Sequence, residues 1–468
     1  MLSLDKTSAY PPEQAAYAQK VREILAKTIP HTPKACVITF GCQQNVSDSQ
    51  RIGGMLSAMG YEFTESPENA DFVIFNTCAV REHAEDRVYG NVGAIKKFKK
   101  QNPHMLLCVC GCMAQQDSVA QKFKTSYPYV DILFGTQVRH RLPEFVYKRL
   151  TTERRVFERE LSNSDIVEDV PVRRDGDIKG FLPVMRGCDN FCTYCIVPYV
   201  RGRERSRKPE DVIKEAGNMI NGGFKEIMLL GQNVNSYGKG LNENTDFADL
   251  LYRVNELDGD FRIRFMTSHP KDCTEKLLKA MSECKKVEKH IHLPFQSGSN
   301  RILKAMNRRY TKESYLELIS KAREYMPDAD FTSDIIVGFP GETYEDFKET
   351  LDLVSRVRFA SLFTFIYSPR EGTPAAVMPD PVSRAEKGKW FSELLSLQDG
   401  ISKAYCESKI GSTARVLFDE ISQKEGFITG KTEGSLSVLV NADKSLIGHF
   451  ADVKITGCDN NALSGAIL

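Results

Sequence analysis

The stretch RGCDNFCTYC, residues 186–195, sets Cys188, Cys192 and Cys195 within eight positions, with no histidine among them. It follows an apolar run, Leu182–Arg186, that reads as a strand. A disulfide takes two cysteines and a structural zinc takes four ligands. Three thiols on one tight loop can hold three corners of a 4Fe–4S cube instead, because thiolates suit such clusters and the clusters normally take four. The fourth iron is then open to a small molecule. Zinc or ordinary buried thiols are the alternatives. The x3 and x2 spacing, with Tyr194 beside the last cysteine, speaks against both.

On either side of this loop, strands and helices alternate from about 179 to 380. The strands read are Leu182–Arg186, Glu226–Leu230, Arg262–Thr267, His290–Phe295, Thr332–Val337 and Leu362–Tyr367. Helices are expected at Pro209–Asn221, Ala248–Leu257, Thr274–Glu283, Lys312–Tyr325 and Tyr344–Val357. Six βα repeats are two short of a closed (β/α)8 barrel. An open barrel leaves a side cleft suited to a large substrate. The cysteine loop follows its first strand, at the mouth where barrel enzymes do chemistry. Gly231, Gln232 and Asn233 fall past the second strand, Ser268 and His269 past the third, and Gln296 past the fourth. Glycine allows close backbone approach and amides bind polar ligand ends. Each also fits a plain turn, and His269 fits a structural role better than a catalytic one.

Upstream, between 34 and 150, the runs ACVITFGC, DFVIFNTC and MLLCVCGC each precede a polar helical stretch, at 47–59, 83–97 and 114–125. Strand–turn–helix three times predicts a parallel sheet. Parallel strands end on one edge, so Cys42, Cys78 and Cys112 should converge there. Cys36, Cys108 and Cys110 lie inside the strand runs and read as buried thiols. Strand alternation puts Cys108 and Cys110 on one face with Cys112, which leaves an exchange of ligands open. Residues 1–33 read as a charged helix behind a disordered start, and 151–178, with SNSD and RRDGD, as a linker. A long helix near 383–406 carries the one tryptophan, Trp390. The last sixty residues read as short strands between Gly, Asn and Asp turns, a small β-barrel of a kind that often holds RNA.

The 468 residues imply two or three domains, and 63 basic against 62 acidic residues leave net charge silent about partners. No apolar run approaches a membrane span, and the N-terminus has charges and prolines where a signal peptide needs an apolar core. The expectation is a cytoplasmic protein whose thirteen cysteines are free, catalytic or metal-bound, not a disulfide framework. Basic charge is local. RGRERSRK holds Arg201, Arg203, Arg205, Arg207 and Lys208 against Glu204, and fits RNA contact or orientation of a cofactor. KKFKK at 96–100 and the run 139–155 fit phosphate contact or solvated surface charge equally. Residues 407–468 hold six basic and eight acidic groups, a net of −2, so a barrel there that binds tRNA must use a polarised face and contacts to bases and sugars.

The Cys188, Cys192, Cys195 motif resembles that of the radical S-adenosylmethionine enzymes, over about 180 to 380. The resemblance implies that the open iron binds the amino and carboxylate groups of the methionine moiety. Reduction then cleaves the sulfonium and releases a deoxyadenosyl radical. It also implies that IIVGFPGET packs against the adenine. From their places at the strand ends and in the arginine run, Gly231, Gln232, Asn233, Ser268, Gln296 and Arg203 are the expected cofactor contacts. FGCQQNVSDS, NTCAVREHAEDRVYGNVG and CVCGCMAQ resemble the N-terminal domain of the methylthiotransferases, in which Cys42, Cys78 and Cys112 would hold a second 4Fe–4S cluster with a free site. The tail resembles that family's TRAM domain. The implied architecture is α/β: an extension (1–33), a parallel-sheet domain (34–150), a partial (β/α)6 barrel of radical S-adenosylmethionine type (174–404) and a small antiparallel β-barrel (407–468). The implied reaction uses one S-adenosylmethionine to methylate a sulfur and another to furnish the radical. A methylthio group then replaces a hydrogen.

Of three branches in that family, NTCAVREHAEDRVYGNVG, RGCDNFCTYCIVPYVRGRERSR, LLGQNVNSYG, LPFQSGSNRILKAMNRRYT and YSPREGTPAA look most like the one acting on tRNA isopentenyl-adenosine. Gln44 stands where that branch usually has methionine. The sibling branches act on tRNA threonylcarbamoyl-adenosine or a ribosomal-protein aspartate, and an iron–sulfur RNA-binding protein or electron carrier without catalysis is the alternative of another class. The implied partners are a tRNA anticodon stem-loop and an electron donor such as flavodoxin or ferredoxin, with no membrane, and the chain is expected to be a monomer.

Overall fold

The apolar runs that end at Cys42, Cys78 and Cys112 form neighbouring parallel strands in the computed structural model, which describes residues 11–80, 84–160, 166–174, 176, 178–434, 436–459 and 461–468. The disordered start expected before residue 11, His83, SNSD (162–165), and Asp175 and Asp177 of RRDGD lie outside the described residues. The chain divides into two compact units. One runs to residue 175 and includes 186–189 and 196–205; the other holds 176–185, 190–195 and 206–468.

In the first unit, helix α1 (Pro12–Thr28) precedes a sheet of β1 (Lys34–Thr39), β2 (Glu62–Phe63), β3 (Phe72–Thr77), β4 (Leu106–Gly111), β5 (Ile132–Phe134) and β6 (Val156–Glu158). The order is β2-β1-β3-β4-β5-β6 and every pairing is parallel. Helices α2 (Gln43–Ala58), α3 (Ala84–Gln101), α4 (Asp117–Ser126) and α5 (Leu142–Thr152) intervene. The central strands β3 and β4 are buried along their whole length, as parallel strands covered on both faces are. Alternate side chains feed two cores: Phe72 and Ile74 join Ile52, Phe134 and Phe145, while Val73 and Phe75 join Val88, Val92 and Phe123.

Two expectations are corrected here. The described part of the supposed linker is packed, not loose. The Arg173 N–H donates to Gln50 O at 2.8 Å, its guanidinium lies 4.0 Å from the Phe63 ring, and Pro171 O sits where a Cβ on Gly54 would stand. The basic run at 139–155 is largely tied up inside the unit, whereas in 96–100 only Lys99 is, and Lys96, Lys97 and Lys100 are exposed. Lys99 pairs with Asp131, Arg149 with Asp131 at 2.9 Å and Arg141 with Glu144 at 2.9 Å. Arg155 donates to four backbone carbonyls.

The second unit begins with β7 (Lys179–Pro183). This strand starts and stops earlier than expected, although the Val184 N–H beyond it still donates to Leu230 O at 2.8 Å. The short strands β8 (Met185–Arg186) and β9 (Arg205–Ser206) and helix α6 (Val197–Arg201) come next in the chain. Then follow α7 (Pro209–Asn221), β10 (Glu226–Leu230), α8 (Phe247–Asn255), β11 (Arg262–Phe265), α9 (Glu275–Glu283) and β12 (His290–His292). After these come α10 (Asn300–Ala305), α11 (Lys312–Tyr325), β13 (Asp330–Val337), α12 (Tyr344–Val357), β14 (Ser361–Ile366) and α13 (Arg384–Ser408). The parallel strands form two threes, β11-β10-β7 and β12-β13-β14, linked by a bridge between Ile263 and Val287. Thr274, Thr311, Thr343 and Ser383 cap the helices that follow them, each side chain accepting from a backbone N–H. Trp390 of α13 stacks on Phe347 of α12 at 5.6 Å and closes the apolar core.

The tail is a closed barrel of β15 (Thr413–Ile421), β16 (Phe427–Lys431), β17 (Ser437–Asn441), β18 (Phe450–Asp459) and β19 (Ala462–Ile467). Its pairs are antiparallel except β17 with β19, which is parallel. It seats on the first residues of the larger barrel's strands: Arg262 donates to Lys431 O at 3.0 Å, and Lys409 lies 3.8 Å from Asp330. Arg264 donates to Thr432 O at 2.6 Å. One expectation about the cysteines is also corrected. Cys406 at the end of α13 and Cys458 of β18 form a disulfide, with Cα atoms 6.0 Å apart.

Candidate functional site

Two strand ends and one helix start build the first cysteine group. Gly41 precedes Cys42 with φ +121, and a Cβ there would stand 2.5 Å from the Cys78 Cβ. Gly111 precedes Cys112 with φ +96, and a Cβ there would stand 2.4 Å from Thr77 O. Only glycine lets the three segments close up this far. Asn45, fully buried in the first turn of α2, then ties them together. Its Oδ1 accepts the Cys42 S–H at 3.3 Å, and its Nδ2 donates at 2.8 Å to Thr77 O, beside Cys78. That carbonyl also accepts the Cys112 N–H at 2.9 Å. Cys78 Sγ accepts the Val80 N–H at 3.3 Å.

Burial pushes the Cys112 thiol up to about 12; Arg201 pulls it down, while Cys78, Cys42 and Asp48 push it up further. Cys112 thus feels the other two cysteines, and a cationic iron centre that took it as a thiolate would relieve the penalty. The donor set suits a cluster. Among the described residues no three His, Cys, Asp or Glu side chains close on a single ion. The exchange of ligands with Cys108 and Cys110 is corrected. The Gly111 turn ends the alternation, so those two face the core with Phe72 and Ile74, whereas Cys112 packs with Ala79, Ile196 and Val200.

In the second cysteine group, Cys188 belongs to the first unit, where its N–H donates to Gly202 O at 3.2 Å. Cys192 and Cys195 belong to the second. Their loop is held by the segment after α10. Asn307 Nδ2 donates to Asn190 O at 3.2 Å and Phe191 O at 3.0 Å, and the Thr193 N–H donates to Met306 O at 3.1 Å. Phe191 is left-handed, with φ +48. Arg308 Nη1 lies 3.4 Å from both Cys192 Sγ and the Tyr194 hydroxyl, and its Nη2 donates to Pro294 O at 2.8 Å.

The expected cofactor contacts fall at the strand ends with mixed environments. A Cβ on Gly231 would meet the Met185 side chain at 2.5 Å, so packing alone already requires glycine there. Asn233 is buried and donates to Asp272 at 2.7 Å, while its Oδ1 is buried without a partner. Gln232 is half-buried and Ser268 buried. Gln296 is left-handed at φ +68, as is Thr267 at φ +69. Backbone strain of this kind gathers at ligand sites. His269 is structural: burial drives its ring down to about 2, and its Nδ1 accepts the Lys271 N–H at 3.2 Å. Of the arginine run, Arg203 is 62% exposed and lies 3.1 Å from Asp189. Arg201 and Arg207 are buried, which corrects their reading as RNA contacts. Asn45, Asn307 and Arg308 were missed by the sequence reading, since none stands beside a cysteine in the chain.

Comparison with known proteins adds to this geometry. A model of the radical SAM superfamily matches residues 182–354, one of the uncharacterized protein family UPF0004 matches 34–135, and one of the TRAM domain matches 407–468. A tRNA-2-methylthio-N(6)-dimethylallyladenosine synthase of Alkaliphilus oremlandii is 49% identical over 436 residues, 93% of each chain. The enzyme of that name from Thermoanaerobacter sp. (strain X514) is 51% identical over 419 residues, 89% of each. This chain belongs to the tRNA-2-methylthio-N(6)-dimethylallyladenosine synthase family. This chain has a fold in common with the radical S-adenosylmethionine methyltransferase TsrM of Kitasatospora setae, at TM-score 0.55 and 13% identity, covering 74% of this chain and 77% of that one. Among the described residues no helix is long and apolar enough to cross a membrane.

Proposed function

We propose that this chain replaces a hydrogen on the adenine of a dimethylallyl-adenosine, next to the anticodon of tRNA, with a methylthio group. The observation that carries the reading is identity near one half, over about nine-tenths of both chains, to relatives named for that reaction. An adenine C–H bond is beyond any protein acid or base, so the hard chemistry belongs to the bound groups. S-adenosylmethionine and two 4Fe–4S clusters would supply the radical, the methyl group and the sulfur.

The chain's own residues bind and orient. Cys188, Cys192 and Cys195 would hold one cluster, with Arg308 beside Cys192. Cys42, Cys78 and Cys112 would hold the other, with Asn45 fixing their spacing. Gly231, Gln232, Asn233, Ser268, Gln296 and Arg203 are the proposed contacts of S-adenosylmethionine. The tail barrel and exposed basic side chains would engage the anticodon stem-loop. A low-potential donor such as flavodoxin or ferredoxin would reduce the enzyme, which we place in the cytoplasm as a monomer.

A strain lacking this chain should lose the 2-methylthio mark on isopentenyl-adenosine, read by mass spectrometry of tRNA nucleosides. Unchanged tRNA beside an altered ribosomal protein would overturn the assignment. In purified protein, reduced anaerobically, Cys192→Ala should abolish deoxyadenosine formation. Cys78→Ala should spare part of that cleavage and abolish methylthio insertion. Equal loss of cleavage in both would contradict the division of labour.

A further inference from the structure

Helix α6 ends on Arg201, six residues after Cys195 in the chain. Its side chain is 6% exposed. Nη1 donates to Asp48 Oδ2 at 3.1 Å, and Nη2 lies 3.4 Å from Asn45 Oδ1. That amide oxygen is the one that accepts the Cys42 S–H. The guanidinium therefore stands one shared atom from Cys42. The backbone around it is pinned: Thr136 Oγ1 donates to Val200 O at 2.6 Å and Gln137 Nε2 to Arg201 O at 3.2 Å, while Val200 packs on Cys112. Once burial is allowed for, the groups acting most strongly on its charge are Cys112, Asp48 and Cys42.

Asp48 cannot balance this charge alone. It also takes Arg139 Nη1 at 2.5 Å, and Arg186 and Arg51 act on the same carboxylate. Arg139 Nε is buried without a partner. Two buried arginines, Arg139 and Arg201, thus share one carboxylate, and a buried cation is costly without an anion. Arg201 lies beside this cysteine group. Thiolates on a cluster, and an anion at its open corner, would bring negative charge to it.

We propose that Arg201 is a positioning residue that provides the counter-charge for the cluster on Cys42, Cys78 and Cys112 and for an anionic sulfur ligand, of the hydrosulfide class, at that cluster's open corner. This rests on the function proposed above. Lys at this position would keep the charge and lose the forked contact to Asn45 and Asp48. Met would keep the bulk and lose the charge.

The test uses the full chain with Cys188, Cys192 and Cys195 all changed to Ala, reconstituted anaerobically so that the second cluster alone remains. Its midpoint potential is read by an EPR-monitored redox titration, and sodium hydrosulfide is titrated against the same signal. Removing a positive charge beside a cluster disfavours its reduction. Arg201→Met should lower the reduction equilibrium tenfold or more, 59 mV for one electron, and weaken hydrosulfide binding tenfold or more. Arg201→Lys should recover most of both. Asp48→Asn, which removes a negative charge with little change of shape, should move the potential the opposite way, and it serves if the Met variant does not fold. Full iron content with potential and hydrosulfide affinity unmoved in Arg201→Met would overturn the role. So would iron loss from the Met and Lys variants alike in folded protein, since that marks a structural part only. A parent chain that binds no iron would instead refute the second cluster itself, and this inference with it.

Discussion

Asn45 does at the level of one residue what no spacing rule records. A single side chain, buried in a helix's first turn, reaches Cys42 directly and the Cys78 and Cys112 segments through Thr77 O. Asn45→Ala should strand buried polar groups and cost about 1–3 kcal/mol of stability, read in urea denaturation. It should also lower the iron held by the Cys42, Cys78, Cys112 group while leaving S-adenosylmethionine cleavage in place. Normal iron content in a variant of unchanged stability would sink the hub role. The meeting of the three cysteines was legible because strand ends in a parallel sheet share an edge. Asn45 and Arg308 were not, as their partners lie 31 to 116 residues away or depend on a helix turn. Cys112 was placed on the wrong face because alternation holds only inside a strand, and Gly111 with φ +96 ends it.

At the level of elements, amphipathic helices and long apolar strands could be read from period alone. Pro209–Asn221, Lys312–Tyr325 and Tyr344–Val357 stand where the sequence placed them. Strands β2, β5 and β6 span two or three residues and carry no period to detect. Turn chemistry was partly hidden as well. After β13, Glu342 accepts the N–H groups of Gly338 and Phe339, and burial raises its carboxyl to about 7. Between the unfolded value near 4.3 and about 7, the folded chain therefore binds more protons than the unfolded one. This group's contribution to stability is full below that window and falls as pH rises through it. Glu342→Gln should flatten the decline in Tm between pH 5 and pH 8; an unchanged slope would assign the effect elsewhere. Gly111→Ala should cost about 1–3 kcal/mol, because the new Cβ meets Thr77 O in a strained backbone.

At the level of the whole molecule, charge was the least legible property. Balanced totals and basic runs suggested surface patches, yet many of those cations are paired inside the fold. The tail barrel meets its neighbour through Arg262 and Arg264, both buried, with Arg262 on Glu226 at 2.6 Å and Arg264 on Glu226 at 3.0 Å. Breaking such a pair from one side costs about 3–5 kcal/mol. Glu226→Gln should therefore loosen the tail barrel, seen as an earlier, separate thermal transition, with a single unshifted transition as the contrary result. The three-part architecture was readable since each part has its own grammar: parallel strands ending in cysteine, βα repeats, then short strands between turns. That the tail barrel sits on the first residues of the barrel strands could not be read, because Arg262 and Arg264 are distant in sequence from Lys431.

The decisive measurement is iron and acid-labile sulfide content after anaerobic reconstitution, made on the unaltered chain and on two variants, each with one cysteine triplet changed to alanine. The account predicts that each variant keeps half the iron and sulfide of the unaltered chain. Zinc in place of iron, or one variant that loses all of it while the other loses none, would contradict it.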